Sequence, residues 1–221
     1  MVTVLVDSSC LHVPGWVNDI HAFRRWTEED DFPEEGRVSW LRGEVWADMS
    51  GEQISTHVAV KTEFAAVLHR LAKERDLGLV LADGLLLSNF AADFCGKPDL
   101  TFLTNDTLLS ERVRLIEGKA GGFTELQGSP DLVLEVVSDS SVHKDTVVLR
   151  KAYWEAGIRE YWIVDARAEP IMFDVLKHTA KGYAATRKKG GWAKSTVFGQ
   201  SFCLVLGSNA LRHPSFTLET R

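Results

Sequence analysis

Paired cysteines are missing from this chain. Its three, Cys10, Cys95 and Cys203, lie far apart and form no CxxC pair. That spacing does not suggest a disulfide framework, and it rules out a structural zinc site built on neighbouring thiols. Lone thiols of this kind read as small buried hydrophobes. No apolar run reaches membrane-spanning length, so no membrane partner is expected. The opening MVTVLVDSSC lacks a basic region followed by a long apolar one, so it is not read as a secretion signal, and a reducing cytoplasm is the expected compartment. Internal repeats and low-complexity segments are absent too. Acid is missing from one stretch alone: Val175 to Leu218 holds no Asp or Glu but does hold Lys177, Lys181, Arg187, Lys188, Lys189, Lys194 and Arg212.

What is present fits a globular chain. With 221 residues, 45% hydrophobic and 25% charged, one substantial core is affordable and disorder is a poor description. A net charge of -6 argues against coating nucleic acid by bulk attraction. The acid is concentrated in TEEDDFPEE, residues 27–35, so the basic stretch near the other end can still form a local positive surface.

The patterning alternates between helical and strand periods. Residues 17–28 suggest a short helix, and 37–49 a hairpin turning at Arg42-Gly43. Val60, Phe64, Val67, Leu71 and Ala72 recur at helical spacing over 56–77, with Gly78 as the expected stop. Strand material broken at Asp83-Gly84 occupies 79–88, and a further strand 97–103. Residues 104–128 are glycine-rich and poorly periodic, and read as an excursion at the molecular edge. A strand at 131–137, a helix near 142–156 and a strand at 160–166 have the spacing of a crossover unit. An antiparallel ribbon closing near Thr179-Ala180 follows. The sum is a mixed α/β sheet flanked by helices.

Glu135 is out of place in this scheme. It interrupts the apolar run Leu132–Val137, where a carboxylate pays a desolvation cost unless hydrogen-bonded, protonated or near a cation. Either the strand end reaches solvent or the acid is aimed into a cleft. Asp99 heads the 97–103 strand, and if the two strands are neighbours both carboxylates approach one point. A hard divalent ion would relieve their repulsion. Glu44, after the hairpin turn, is either an exposed acid or a third carboxylate for that cleft. Asp131 suits a cap or turn better than a ligand position. Phosphodiester cleavage also needs a cation to offset developing charge. Lys144, at the start of the helix after Glu135, and Lys151, about two turns on, are the amines within range; both also read as solvated helix lysines.

EVVSDSSVHKDTVVLRKAYWEAGIREYWIVDA, residues 135–166, with the preceding Pro130-Asp131, resembles a large bacterial family of restriction-endonuclease-like proteins, the Uma2 type, in the PD-(D/E)XK nuclease superfamily. The elements arrive in order: Pro-Asp and an apolar run, Glu-Val-x-Ser, a helix with Tyr153 and Ala156-Gly157, then Glu160-Tyr161-Trp162 and Asp165. Fainter agreement extends upstream through Pro98-Asp99 and Gly43-Glu44. The resemblance covers 17–206, leaving 1–16 as an N-terminal extension and 207–221 as a C-terminal tail. It implies a restriction-endonuclease-like fold and a magnesium-dependent centre, with manganese as substitute, acting on DNA, RNA not being excluded. Its acids would be Glu44, Asp99 and Glu135, serving both catalysis and the metal. The superfamily lysine position is Val137 here, and the helix position used by many relatives is Leu149. Lys144 is therefore the preferred substitute and Lys151 the reserve. His57 matches a histidine that either orients a metal ligand or closes the helix start. A homodimer would bring two centres to two strands, though no pairing element is legible. The empty lysine positions keep open a catalytically inactive relative that binds nucleic acid or regulates.

Overall fold

Apolar side chains on both faces of Leu132–Val137 fit a strand covered above and below, and that strand lies inside a six-stranded sheet. A computed structural model of the protein describes residues 2–6, 9–119 and 121–221, with side chains from Leu11 onward; the side chain of Cys10 lies outside the described residues.

A hairpin of β1 (Val2–Val6) and β2 (Ser9–Val13) precedes α1 (Ile20–Trp26). The hairpin of β3 (Arg37–Leu41) and β4 (Glu44–Asp48) leads into a π-helical turn, Ile54–Val58, and α2 (Ala59–Glu74). Next come β5 (Gly78–Ala82), β6 (Leu86–Asn89), β7 (Phe94–Gly96) and β8 (Leu100–Thr104). They are followed by α3 (Asn105–Leu109), β9 (Val113–Glu117), β10 (Phe123–Gly128) and β11 (Leu132–Val136). A second π-helical turn, Lys144–Leu149, continues into α4 (Arg150–Glu155) and β12 (Glu160–Asp165). After these lie β13 (Met172–Thr179), β14 (Gly182–Ala185), β15 (Ala193–Lys194), β16 (Ser201–Ser208) and β17 (Pro214–Thr220).

Two six-stranded sheets dominate, ordered β4-β3-β7-β6-β10-β9 and β14-β13-β12-β11-β8-β5. Each is mixed: β6 and β10 pair in parallel, as do β11 and β12 across the crossover, while their other pairs are antiparallel. This is the helix-flanked, mixed α/β architecture expected of a restriction-endonuclease-like chain.

The period of two sorts the central sheet into two cores. Leu132, Leu134 and Val136 face α2, where Phe64 and Leu68 meet Trp162 and Phe202. Val133 and Val137 face the opposite way, against Leu149, Ala152 and Tyr153 of the second helical segment. Glu135 belongs to this second face. Strand β17 adds Phe216 and Leu218 to the first core, and its Leu218 N donates to Glu63 Oε1 at 2.8 Å. Leu11 and Val13 of β2 pack with Ile20, Phe23 and Trp40 in a third core.

Two expectations need adjusting. Helix α2 stops at Glu74, and Gly78 opens β5 instead of ending the helix. The 104–128 segment is not irregular: it supplies α3, β9 and β10. Its weak periodicity follows from place, since β9 is an edge strand with Arg114, Leu115 and Glu117 exposed.

Gly78 adopts φ +147, and a Cβ there would sit 1.9 Å from the Leu103 carbonyl oxygen; Gly84, at φ +72, faces open space. Gly78→Ala should therefore cost about 3 kcal/mol or more, and Gly84→Ala only about 1 kcal/mol, as read from urea denaturation midpoints. Equal losses at the two positions would contradict this packing.

Candidate metal centre

Strand register brings the first two acids together. Strands β8 and β11 are antiparallel, with Leu134 opposite Leu100. One step beyond that pair, Asp99 comes opposite Glu135, and residues directly opposite share a face with Cβ atoms about 5 Å apart. Asp99 Oδ2 accepts the Val136 N–H at 2.7 Å, which ties the head of one strand to the end of the other. Both carboxylates are buried and line one cleft of about 270 Å³.

Glu135 is the most strained of the acids electrostatically. Its carboxyl is held well above the usual range by burial first, then by the charges of Asp99 and Asp145; Lys144 and the Tyr153 hydroxyl oppose this. Tyr153 donates to Glu135 Oε1 at 2.6 Å from the helix that covers this face. Burial also raises Asp145, to about 6, with Asp99 contributing, against the relief given by Lys144 and by the Ser141 hydroxyl. Asp145 Oδ1 is buried without a hydrogen-bond partner, 3.7 Å from Lys144 Nζ.

Arginine and lysine already stand among the outer acids. Arg37 Nη1 contacts Asp99 Oδ1 at 2.5 Å, while its Nη2 reaches Glu52 at 2.9 Å and Asp83 at 3.2 Å. Burial works against its charge, but Asp99, Glu135 and Asp83 outweigh that and keep the guanidinium protonated. Lys61 Nζ lies 2.7 Å from Glu52 Oε2 and 3.0 Å from Asp83. Against the opposing effect of burial, these two cations pull Glu52 and Asp83 below their ordinary values.

Six carboxylates line the cleft, Asp48, Glu52, Asp83, Asp99, Glu135 and Asp145, against the cations Arg37, Lys97 and Lys144. With this surplus a divalent cation fits the donor set. Glu52, His57 and Asp99 offer ligand atoms within 4.8 Å of one another and could coordinate such an ion. The two π-helical turns deliver His57 on one side and Lys144 with Asp145 on the other. Wide turns of this kind recur at functional sites.

The structure thus brings Asp99, Glu135 and Lys144 together and leaves two of the sequence candidates outside. Glu44 is exposed beside the hairpin turn and borders a different hollow with Val13, Val17 and Trp40. Its strand reaches the cleft at the other end, through Asp48, which accepts from Ser50 and Ser140. Lys151 is exposed on α4 and does not line the cleft. Val137 and Leu149, the two vacant lysine positions, are packed into the second core. Sequence reasoning missed Arg37, Glu52, Lys61, Asp48 and Asp145. The adjacency of Asp145 to Lys144 was visible; nothing local marked the others. Asp131 is buried and structural: it accepts from Thr104 N and Oγ1 and pairs with Arg112 and Arg159.

These shifts predict a pH dependence of stability. Glu135 and Asp145 have folded-state values above their unfolded ones, so the folded form binds more protons between the two. Their contribution is present below about pH 4 and is lost as pH rises, through about 6 for Asp145. Thermal melting of the metal-free protein should fall from pH 5 to pH 8, and Asp145→Asn should flatten that fall. A melting temperature that rises over this interval would overturn the crowding of acids described here.

A family model described as "Uma2: Putative restriction endonuclease" matches residues 20–196. Among solved structures, the chain is similar to one titled as a putative nuclease belonging to DUF820 from Anabaena variabilis. The two share 13% identity at a TM-score of 0.61, over 82% of this chain and 90% of that one, a likeness that speaks to the fold. A comparison with curated proteins finds no match. With a family match spanning most of its length, mixed sheets flanked by helices and its acids gathered at one cleft, the chain belongs to the Uma2 family.

Proposed function

We propose that this protein hydrolyses phosphodiester bonds in nucleic acid, DNA foremost, with a divalent cation held by Asp99 and Glu135. The observation that carries this reading is the surplus of carboxylate in the cleft, where six acids still outnumber the cations Arg37, Lys61, Lys97 and Lys144 set among them. An anionic phosphodiester is repelled by such a surface unless a cation intervenes. A bound magnesium ion, or manganese in its place, would polarise a phosphoryl oxygen and acidify a water. Among the chain's own groups, Tyr153 fixes the Glu135 carboxylate and Val136 N fixes that of Asp99. Lys144 supplies the ammonium that offsets charge near Glu135 and Asp145, the part that Val137 leaves vacant. Exposed Lys177, Lys181, Lys194 and Arg212 suit backbone contacts outside the cleft. Free thiols at Cys95 and Cys203 agree with a reducing cytoplasm. Among the described residues no helix is long and apolar enough to cross a membrane.

A second reading has its own support. The Arg37–Asp99 ion pair and the burial of Val137 and Leu149 favour a chain that holds nucleic acid without cutting it. Plasmid nicking with manganese or magnesium separates the two. Asp99→Ala or Glu135→Ala should lower the nicking rate by on the order of 100-fold or more, and Lys144→Ala by about tenfold. Glu44→Ala and Lys151→Ala should stay within about twofold of the parent. Intact plasmid across metals and salt, together with retained binding in chelator, would favour the second reading instead.

A further inference from the structure

We propose that Glu52, His57 and Asp99 form a second cation position, selective for a first-row transition ion such as manganese, cobalt or zinc over magnesium, against which Lys61 competes with its ammonium. The inference builds on the hydrolytic reading by sharing Asp99 with it, yet it does not depend on Glu135.

Three observations carry it. His57 is 95% buried, at 5% exposure, and its Nδ1 has no hydrogen-bond partner. A buried histidine packed only for structure ordinarily satisfies its ring nitrogens. The ring instead stands between two acids, with Nδ1 3.3 Å from Glu52 Oε2 and Nε2 3.7 Å from Asp99 Oδ2. One ring nitrogen and one oxygen of each acid lie within 4.8 Å of one another.

Lys61 is the second observation. Its Nζ reaches Glu52 Oε2 at 2.7 Å and Asp83 Oδ2 at 3.0 Å and lies 3.7 Å from Asp99 Oδ1, so a positive charge already stands among these acids. It is the arrangement of a positive charge kept where a cation is wanted. Arg37 takes the other oxygen of each acid, Glu52 Oε1 and Asp99 Oδ1, and so aligns both carboxylates without using the oxygens nearest His57.

The third is donor chemistry. Magnesium favours oxygen donors alone. An imidazole nitrogen beside two carboxylate oxygens suits the later first-row ions best, and manganese, first in the same affinity series, serves as their paramagnetic probe. The wide turn Ile54–Val58 is what lets His57 project into this position from the start of α2.

Pulsed electron paramagnetic resonance on the full chain loaded with manganese reads this directly. A nitrogen coupling should appear, change on 15N-histidine labelling, persist in excess magnesium and in Glu135→Gln, and vanish in His57→Gln. Lys61→Met, which removes the competing ammonium, should tighten manganese binding several-fold; a purely structural ion pair predicts no such gain. Manganese bound without nitrogen coupling, no binding at all, or a coupled signal that magnesium displaces at equal concentration would each overturn the proposal. A coupled signal in a wild-type chain that never nicks DNA would support this site while sinking only the hydrolytic reading. If His57→Gln fails to fold, the labelling result and the Lys61→Met affinity still decide the matter.

Discussion

The pairing of β8 with β11 is the constraint on which the site depends. It sets Asp99 against Glu135 across an antiparallel ladder, and the side-chain period of two permits no partial slippage. A shift by one residue would send Asp99 to the α2 face, among Leu132 and Leu134. The carboxylate of Asp99 guards against this itself, since it accepts Val136 N–H where the ladder would otherwise end. Tyr153 does the same for Glu135 from the helical side. Each acid is therefore held by something other than its own strand.

Buried acids elsewhere in the molecule show what a structural carboxylate looks like here. Glu160 is fully buried and receives five donors: Trp162 Nε1, Ser195 Oγ, Val197 N, and both N and Oγ1 of Thr196. Such saturation keeps a charge stable in a core. Glu125 is likewise met by Ser88 and Arg24. Around Glu135 the surroundings differ in kind: a phenol on one side and two further acids nearby. The contrast separates carboxylates that tie loops to the sheet from those that crowd one another at the cleft.

Much of the fold was legible because period and punctuation agree. The hairpin turn at Arg42-Gly43, with φ 56 and 89, and the crossover from β11 to β12 follow from local signals. Glu135 drew notice for a related reason, since a charge in an apolar strand has few bland explanations, and Asp99 through its place at the head of the neighbouring strand. Glu44 misled because its hairpin does border the cleft, but at the opposite end of β4, where Asp48 stands. Arg37, Glu52 and Lys61 gave no signal at all. Each is an ordinary polar residue in its own segment, and its role comes from contacts with other segments: Arg37, for one, meets Asp83 and Asp99, 46 and 62 residues away in the chain. The lysines showed the reverse problem: which helical face looks inward cannot be counted when the helix begins with a widened turn.

That widened turn has a consequence for how such a chain can change. Through Lys144–Leu149 the backbone carries one residue more per turn than an ordinary helix, so the amine and acid at its start are out of phase with the Leu149, Ala152 and Tyr153 stripe. Losing a single codon there would rotate everything upstream by about 100° relative to the packed helix. A different side chain would then look into the cleft while the hydrophobic contacts of α4 stayed as they are. Length variation at this one point is thus a route by which descendants could exchange the residue that serves as the amine, without rebuilding the scaffold beneath it.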